Sequence, residues 1–291
     1  MKCSLCPRRC DAIRTETQNI GGYCGQPSAP VVARAALHFW EEPPISGTNG
    51  SGTVFFSGCT LRCVYCQNFD ISHKGFGKSI SVERLAEIFR ELEGLGAHNI
   101  NLVSPTHFAD AIKRALDIYR PSIPIVWNSS GYETVKTLDT LQNCIDIFLM
   151  DLKYLSGDRA ALLSGARDYP EVAAKAIKKA YEMRPECVFE DGIMKSGVII
   201  RHLVLPRATG EAIAAFDFVR ANTPNAYFSL MSQYLPCGRA GEFPEIDRRI
   251  TRREYEKVVD YICDSGFENC FIQERESSSK DYIPPFDLSG V

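Results

Sequence analysis

The sequence lacks several features that would place the protein in a broad class at once. It has no apolar run near the ~18 residues that span a membrane, and its formal net charge is only −3, without a Lys/Arg-rich tail. We therefore expect no membrane anchoring and no electrostatic binding of nucleic acid. The N-terminus, Met1-Lys2-Cys3, is not followed by an apolar stretch of the secretory type. This start predicts a cytoplasmic protein.

Cysteine is the unusual component of an otherwise ordinary globular composition. Apolar residues make up 45% and charged residues 24% of the 291 residues, which suits a chain with a sizeable core. Seven of the 12 cysteines fall within the first 66 positions, namely Cys3, Cys6, Cys10, Cys24, Cys59, Cys63 and Cys66. In a reducing compartment, clustered cysteines bind metal or perform redox chemistry more often than they form disulfides. We therefore expect metal or iron–sulfur ligation.

The chain divides into a loop-rich, Cys-containing N-terminal extension, residues 1–50, and a larger unit, residues 51–291, in which strand and helix patterns alternate. Short, mostly apolar stretches predict strands at 53–58, 99–104, 124–130, 145–152, 198–205 and 226–232, with 270–273 as a further candidate. Apolar stripes predict helices at 82–95, 108–119, 133–143, 170–183, 210–221 and 251–263, with Ser81 as the N-cap of the first. This alternation predicts a parallel sheet with helices outside, as a full barrel, a partial barrel or an open doubly wound sheet.

Three cysteines follow the first predicted strand, in the segment Gly58-Cys-Thr-Leu-Arg-Cys-Val-Tyr-Cys66. Ligands bind at the carboxyl ends of the strands in barrels and in open α/β sheets, so this loop lies where a ligand is expected. Three sulfur ligands without a nearby fourth leave one metal position open for chemistry. A zinc knuckle that borrows a distant cysteine, or three buried thiols, are the alternatives.

The motif Cys59-x-x-x-Cys63-x-x-Cys66, with the aromatic Tyr65 before its last cysteine, resembles the signature of the radical S-adenosylmethionine (SAM) superfamily. Residues 53 to about 236 resemble, more narrowly, its pyruvate formate-lyase activating enzyme-like group. The resemblance implies an α/β fold, a partial (β/α)6 TIM-like barrel, with a [4Fe–4S] cluster on these three cysteines. It also implies that SAM is bound at the unique iron and reductively cleaved to a 5′-deoxyadenosyl radical, which abstracts a hydrogen atom from a substrate.

The implied partners are a hydrogen donor and an electron donor. The hydrogen donor is a protein, a peptide or a small molecule. A glycyl radical enzyme is the first candidate, and a peptide or small-molecule substrate is the alternative. The electron donor is a reductase or a protein of the flavodoxin or ferredoxin type.

The resemblance also assigns SAM contacts at the strand ends: Tyr65, Ser104, Thr106, Asn128, Ser129, Asp151, Lys153 and Arg201. Tyr65 would lie against the adenine. The segment Ser104-Pro-Thr-His107 stands where the family usually has Gly-Gly-Glu, so carbonyls and hydroxyls would accept from the SAM ammonium. Asp151 and Lys153 would lie around the SAM carboxylate. An unpaired buried charge is very costly, so Arg201 needs an anionic partner, which the SAM carboxylate would provide.

Two further groups of residues leave alternatives open. His107 is either a proton donor facing the site or a cap of the following helix. The quartet Cys3, Cys6, Cys10 and Cys24 offers four ligands, which suits tetrahedral zinc or a second iron–sulfur cluster. A short loop-rich extension needs a staple, and this favours structural zinc.

Two hypotheses from other functional classes stand beside the enzyme. The chain would be a zinc-binding interaction module if both cysteine groups were structural. It would be a thiol–disulfide oxidoreductase if Cys63 and Cys66 formed a redox pair.

Overall fold

The structure, a computed structural model, describes residues 2–274 and 284–291. Its strands are β1 (Ile13–Arg14), β2 (Asn19–Ile20), β3 (Val31–His38), β4 (Ser51–Phe56), β5 (Lys78–Ser79), β6 (Ile100–Val103), β7 (Ile125–Ser129), β8 (Ile147–Asp151), β9 (Val188–Glu190), β10 (Ile193–Leu203), β11 (Tyr227–Met231) and β12 (Cys270–Ile272). Its α-helices are α1 (Pro43–Ser46), α2 (Phe69–Ser72), α3 (Val82–Gly94), α4 (Ala109–Ile118), α5 (Val135–Thr140), α6 (Gly157–Ser164), α7 (Tyr169–Met183), α8 (Thr209–Asn222) and α9 (Arg252–Asp264).

A mostly parallel sheet forms the centre of this mixed α/β fold. Its strands lie in the order β12-β11-β10-β8-β7-β6-β4-β3-β5, with β9 paired to β10 off this path. The strands from β4 to β12 in this order are parallel, whereas β3 pairs antiparallel with both β4 and β5. The six predicted parallel strands are β4, β6, β7, β8, β10 and β11. The further strand β12 gives the sheet more parallel strands than the (β/α)6 pattern contains.

Burial explains why the apolar runs become strands and the stripes become helices. Every residue of β4 and β6 is buried, as expected where helices cover the sheet. Helix α3 begins at its predicted N-cap, because the Ser81 side chain accepts from the backbone N–H of Arg84, and it buries Leu85, Ile88 and Phe89. Burying such side chains supplies ~1.5–3 kcal/mol each. No helix within residues 2–274 and 284–291 is long and apolar enough to cross a membrane.

The N-terminal fifty residues differ from a purely loop-rich extension. Residues 31–38 form β3, which pairs with β4 over a register that includes Ala35 opposite Val54. The first three residues of β3 are buried, so this stretch joins the main sheet. Helix α6 and strand β9 were not predicted. Helix α6 is short and begins with Gly-Asp, where a helical stripe is hard to recognise.

Candidate active site

The carboxyl ends of the central strands enclose a cavity of about 220 Å³. Its walls include most of the residues singled out in the sequence: Cys59, Cys63, Tyr65, Cys66, Ser104, Asn128, Ser129, Asp151, Lys153 and Arg201. They come from the loop after β4 and from β7, β8, β10 and the residues that follow the strands. Parallel strands bring these sequence-distant side chains together because their carboxyl ends share one rim of the sheet.

The three thiols of the loop after β4 receive hydrogen bonds from nearby donors. The backbone N–H groups of Leu61 and Arg62 point at Cys59 Sγ, at 3.3 and 3.4 Å. The Ser164 hydroxyl donates to Cys63 Sγ at 3.0 Å. Burial, together with the neighbouring Cys59 and Cys63, raises the pKa of Cys66 to about 12. Buried thiols this close to one another repel as thiolates, a repulsion that a bound metal centre removes.

The donor set of this loop, three cysteine thiols, is the kind that holds an iron–sulfur cluster. In the described part of the chain, no three His, Cys, Asp or Glu side chains converge as ligands of one metal ion. None of the 12 cysteines is in a disulfide. A cluster spaces its ligating sulfurs around an iron–sulfur core, and hydrogen bonds to those sulfurs tune it. Thiols on one cavity wall with N–H and O–H donors match that requirement.

Arg201 lies at the centre of a charged network at the base of the cavity. Its Nε donates to Asp151 Oδ1 at 2.8 Å, its Nη1 to Glu41 Oε2 at 3.0 Å and its Nη2 to Asn128 Oδ1 at 2.7 Å. Carboxylates of the chain thus already give Arg201 anionic partners, so its burial does not require SAM, and its contact with SAM stays a prediction. Sequence reasoning missed Glu41. It lies shortly before Pro43-Pro44, in a stretch that reads as a loop, where a carboxylate is usually exposed to solvent.

Glu42 is a second carboxylate that sequence reasoning missed. Ser229 Oγ donates to its Oε1 at 3.1 Å, while its Oε2 lies 3.8 Å from Arg201 Nη1 and has no hydrogen-bond partner among the described residues. Burial raises the pKa of Glu42 to about 7, with Arg201 opposing and Glu41 adding to the rise. The only sequence signal for such a group was the need of Arg201 for an anionic partner.

Lys153 and Asp151 form a close ion pair on the cavity wall. Their Nζ and Oδ2 atoms are 2.6 Å apart, and both side chains stay partly exposed, at 21% and 17%. Burial works to raise the pKa of Asp151, but Arg201 and Lys153 outweigh it and hold this pKa below its usual value. Asp151 is thus ionised, and Lys153 presents a partly exposed cation to the cavity.

Two residues at the end of β6 behave differently from each other. Ser104 lines the cavity with a left-handed φ of 58°, a conformation that glycine adopts more readily. Its N–H donates to the Asn128 carbonyl at 2.9 Å. Thr106, expected to line the cavity, instead donates through its buried hydroxyl to Glu133 Oε1 at 2.9 Å, where Trp127 Nε1 also donates.

His107 has a structural role in this arrangement. Its buried ring donates through Nε2 to the Ser57 carbonyl at 2.7 Å. Burial lowers its pKa to about 3, which keeps the imidazole neutral at physiological pH. It does not line the strand-end cavity, so a role as proton donor there has no support.

Tyr65 lines the cavity beside the last cysteine of the motif. It is 5% exposed, and its hydroxyl accepts from Tyr154 at 2.8 Å. Its ring packs edge-on against Tyr154 and Tyr234. The ring is therefore held rigidly in the wall, and its contact with adenine stays a prediction.

The four N-terminal cysteines lie close to one another. Burial, together with the neighbouring thiols of Cys24, Cys3 and Cys10, raises the pKa of Cys6 to about 12. Asn19 Nδ2 donates to Cys24 Sγ at 3.7 Å. The thiols are neighbours, yet among the described residues they do not form a finished single-ion site.

A second cavity, of about 500 Å³, adjoins the first one. Residues 39–43, which follow β3, and residues 270–274, which include β12, both line it, so it lies between the two ends of the open sheet. Both cavities share the wall residues Trp40, Glu41, Arg201, Met231 and Gln233. Phe39 and Trp40 are about half exposed at this place, at 49% and 57%.

SuiB of Streptococcus suis has a similar fold. Its crystal structure bound to S-adenosylmethionine matches with a TM-score of 0.55 and 17% sequence identity, over 74% of this chain and 48% of that one. Its crystal structure bound to the precursor peptide SuiA matches with a TM-score of 0.53 and 15% identity, over 74% and 46%. The chain thus spans about half the length of SuiB.

Sequence comparison identifies the family. The chain is 32% identical over 269 residues to uncharacterized protein MJ0674 of Methanocaldococcus jannaschii, covering 89% of this chain and 73% of that protein. The family model of the Radical SAM superfamily matches residues 53–215, more than half of the chain. This stretch contains the three-cysteine loop and most of the cavity walls. The chain belongs to the radical SAM superfamily.

Proposed function

We propose that the protein is a radical SAM enzyme whose Cys59, Cys63 and Cys66 hold a [4Fe–4S] cluster with an open iron. The observation that carries the proposal is the set of three thiols on the wall of one cavity with Asn128, Asp151 and Lys153. When bound, the cluster and SAM supply a 5′-deoxyadenosyl radical that abstracts a hydrogen atom from the substrate. Superfamily membership implies an enzyme, and the residues around the cavity indicate what the protein contributes.

The polar wall of the cavity binds and orients SAM. Lys153 offers its ammonium group to the SAM carboxylate. Asp151 holds the Lys153 ammonium group in place through the 2.6 Å contact between Nζ and Oδ2. Ser104 and Ser129 offer hydroxyl and carbonyl acceptors to the SAM ammonium. Tyr65 offers its ring to the adenine. Arg201 acts indirectly, because its bonds to Asp151 and Asn128 fix both of these side chains.

The hydrogen donor is a protein or peptide segment, and the backbone glycine of a glycyl radical enzyme is its first candidate. The second cavity supports this class, because it lies between the two ends of the sheet and shares a wall with the first cavity. An extended chain can enter such a seam past the half-exposed Phe39 and Trp40. A solved relative of the fold, SuiB, binds a precursor peptide.

The N-terminal quartet binds a metal centre of its own, structural zinc or a second cluster. Four neighbouring thiols in a segment with only two-residue strands fit a closed, stabilising site. An electron donor of the flavodoxin, ferredoxin or reductase type reduces the [4Fe–4S] cluster. A reducing, cytoplasmic setting suits twelve free thiols.

The other two hypotheses fit the geometry less well. A module that uses both cysteine groups only for structural zinc does not account for the match of residues 53–215 to the Radical SAM superfamily. A thiol–disulfide oxidoreductase needs a depressed thiol pKa, whereas burial raises the pKa of both Cys63 and Cys66.

The decisive experiment reconstitutes the protein with iron and sulfide without oxygen and supplies SAM and a strong reductant. We expect 5′-deoxyadenosine to form, and we expect Cys63→Ala to abolish it. The matched control is Cys263→Ala, because Cys263 is an exposed thiol on α9. A chain that binds two zinc ions, develops no iron–sulfur absorbance and forms no 5′-deoxyadenosine would contradict the proposal. Deuterium transfer from a glycine-labelled peptide into 5′-deoxyadenosine then tests the substrate class.

A further inference from the structure

Arg8 reaches from the N-terminal cysteine quartet into the loop that carries the other three cysteines. It lies between Cys6 and Cys10 in the sequence. Its Nε donates to the Thr60 carbonyl at 2.7 Å, and its Nη2 donates to the Leu61 carbonyl at 3.0 Å. Thr60 and Leu61 stand between Cys59 and Cys63. One guanidinium therefore holds the backbone that spaces two of the cluster ligands.

The same guanidinium also holds the residue that hydrogen-bonds to Cys63. Its Nη2 donates to the Ser164 carbonyl at 2.7 Å and its Nη1 to the Gly165 carbonyl. The Ser164 hydroxyl in turn donates to Cys63 Sγ at 3.0 Å. Arginine suits this role because its planar fork offers five donors in fixed directions, which a lysine ammonium does not.

Further contacts lie between the two loops. Arg62, whose φ of 54° is left-handed, donates through Nη1 to the Tyr23 carbonyl at 3.1 Å. The Tyr23 ring stacks under Arg8, with 3.9 Å from the guanidinium carbon to the ring centroid. A Cβ on Gly58 would meet the Cys24 carbonyl at 2.7 Å. The backbones of the two cysteine loops therefore touch, with Gly58 next to Cys59 in the sequence.

We propose that Arg8 is a positioning residue through which metal binding at the N-terminal quartet fixes the conformation of the Cys59–Cys66 loop. Metal binding draws Cys6 and Cys10 together and so orders the short backbone that carries Arg8. The ordered guanidinium then holds the carbonyls of Thr60 and Leu61 in place. The inference rests on the metal centre proposed for the quartet, and it gives that centre a role beyond stapling the N-terminal segment.

A staple for the N-terminal segment alone does not require these contacts. Arg14 already anchors that segment, since it donates to the carbonyls of Gln26, Pro27 and His107. Within the segment the Arg8 guanidinium stacks on Tyr23, but each hydrogen bond of the guanidinium in the described structure goes to residues 60–61 or 164–165. This distribution distinguishes coupling between the cysteine groups from local stabilisation.

The test uses the full chain with Cys59→Ala, Cys63→Ala and Cys66→Ala, so that added Zn²⁺ finds only the quartet. Amide hydrogen exchange of residues 58–66 is measured with and without one equivalent of Zn²⁺. We expect one bound zinc and exchange slowed at least about tenfold when Arg8 is present. With Arg8→Lys we expect the same zinc stoichiometry and less than about a twofold slowing. Arg9→Lys is the matched control, because Arg9 is its exposed neighbour.

Three results would overturn the inference: no zinc binding, zinc binding without slowed exchange at residues 58–66, or equal slowing with Arg8→Lys. A second readout uses the iron-loaded protein without these alanine substitutions. We expect a chelator to remove iron several-fold faster from Arg8→Lys than from Arg9→Lys, and equal rates would contradict the proposal. The zinc experiment contains neither iron nor SAM, so its failure is separable from a failure to form 5′-deoxyadenosine.

Discussion

The two cysteine groups lie side by side, yet the protein holds them in different ways. The Cys59–Cys66 loop follows β4, all of whose residues are buried in the sheet. The quartet lies in the loops on either side of β1 and β2, which have two residues each and form a small sheet of their own. The first group is thus positioned by the core, whereas the second would depend on the metal proposed for it and on side chains that reach the first. We expect substitutions in the two regions to have different consequences.

The largest expected difference concerns the chemistry. Cys63→Ala should lower 5′-deoxyadenosine formation by more than about 10³-fold, because it removes a ligand of the cluster. Cys24→Ala should remove one metal site and lower the rate by about tenfold, because the cluster ligands remain. Iron content, absorbance near the cluster bands and product formation measure both effects. Equal loss of cluster iron in Cys63→Ala and Cys24→Ala would contradict this prediction.

The next effect compares two arginines. Arg201→Met leaves Asp151, Glu41 and Glu42 without their shared cation, and should cost roughly 3–5 kcal/mol in the free energy of unfolding. Arg8→Met removes bonds to neutral carbonyls only, and should cost about 2 kcal/mol. Urea titration of equally loaded proteins measures the difference. A larger loss in the free energy of unfolding for Arg8→Met than for Arg201→Met would contradict this prediction.

The third effect is a pH dependence confined to the barrel. Burial raises the pKa of Glu133 to about 7, although Trp127 and Thr106 donate to it. Between pH 4.5 and 7 the folded chain holds a proton that the unfolded chain has released, so stability falls as pH rises through this window. The free energy of unfolding of Glu133→Gln, relative to that of the parent protein, should therefore rise by about 3 kcal/mol from pH 5 to pH 8. Parallel urea titrations at the two pH values measure this gain, and a constant difference would contradict the burial argument.

The smallest effect tests the contact between the two loops. Gly58→Ala places a Cβ against the Cys24 carbonyl at a left-handed φ of 78°, whereas Gly96→Ala meets nothing within 4 Å at a φ of 82°. Both variants carry the conformational cost of about 1 kcal/mol. Gly58→Ala should lose about 1–2 kcal/mol more, because backbone must move. Equal melting temperatures for the two variants would show that the loops are not in contact.

Much of the fold and of the cavity could be predicted from the sequence, because these features are local. The buried strands are continuous apolar runs, and the three cysteines of the motif lie within the eight residues from Cys59 to Cys66. The position of Lys153 two residues after Asp151 is likewise visible along the chain.

The features that were missed depend on distant partners. Glu41 looks like a surface charge until Arg201, far along the chain, comes to lie 3.0 Å from it. Thr106 stands next to the cavity in the sequence, but its hydroxyl finds the buried Glu133 instead. Residues 31–38 become a strand only because β4 offers them a pairing edge. Pairings of this kind leave no periodic pattern in the sequence.

The close approach of Gly58 to the Cys24 carbonyl has a consequence for engineering. An added or deleted residue in either loop would shift one backbone relative to the other. The two cysteine groups would then move apart, although no cysteine had been changed. A transplant of the barrel motif into another scaffold therefore has to carry residues 2–26 along with it. The two segments therefore have to be transferred together, although more than thirty residues separate Cys24 from Cys59 in the chain.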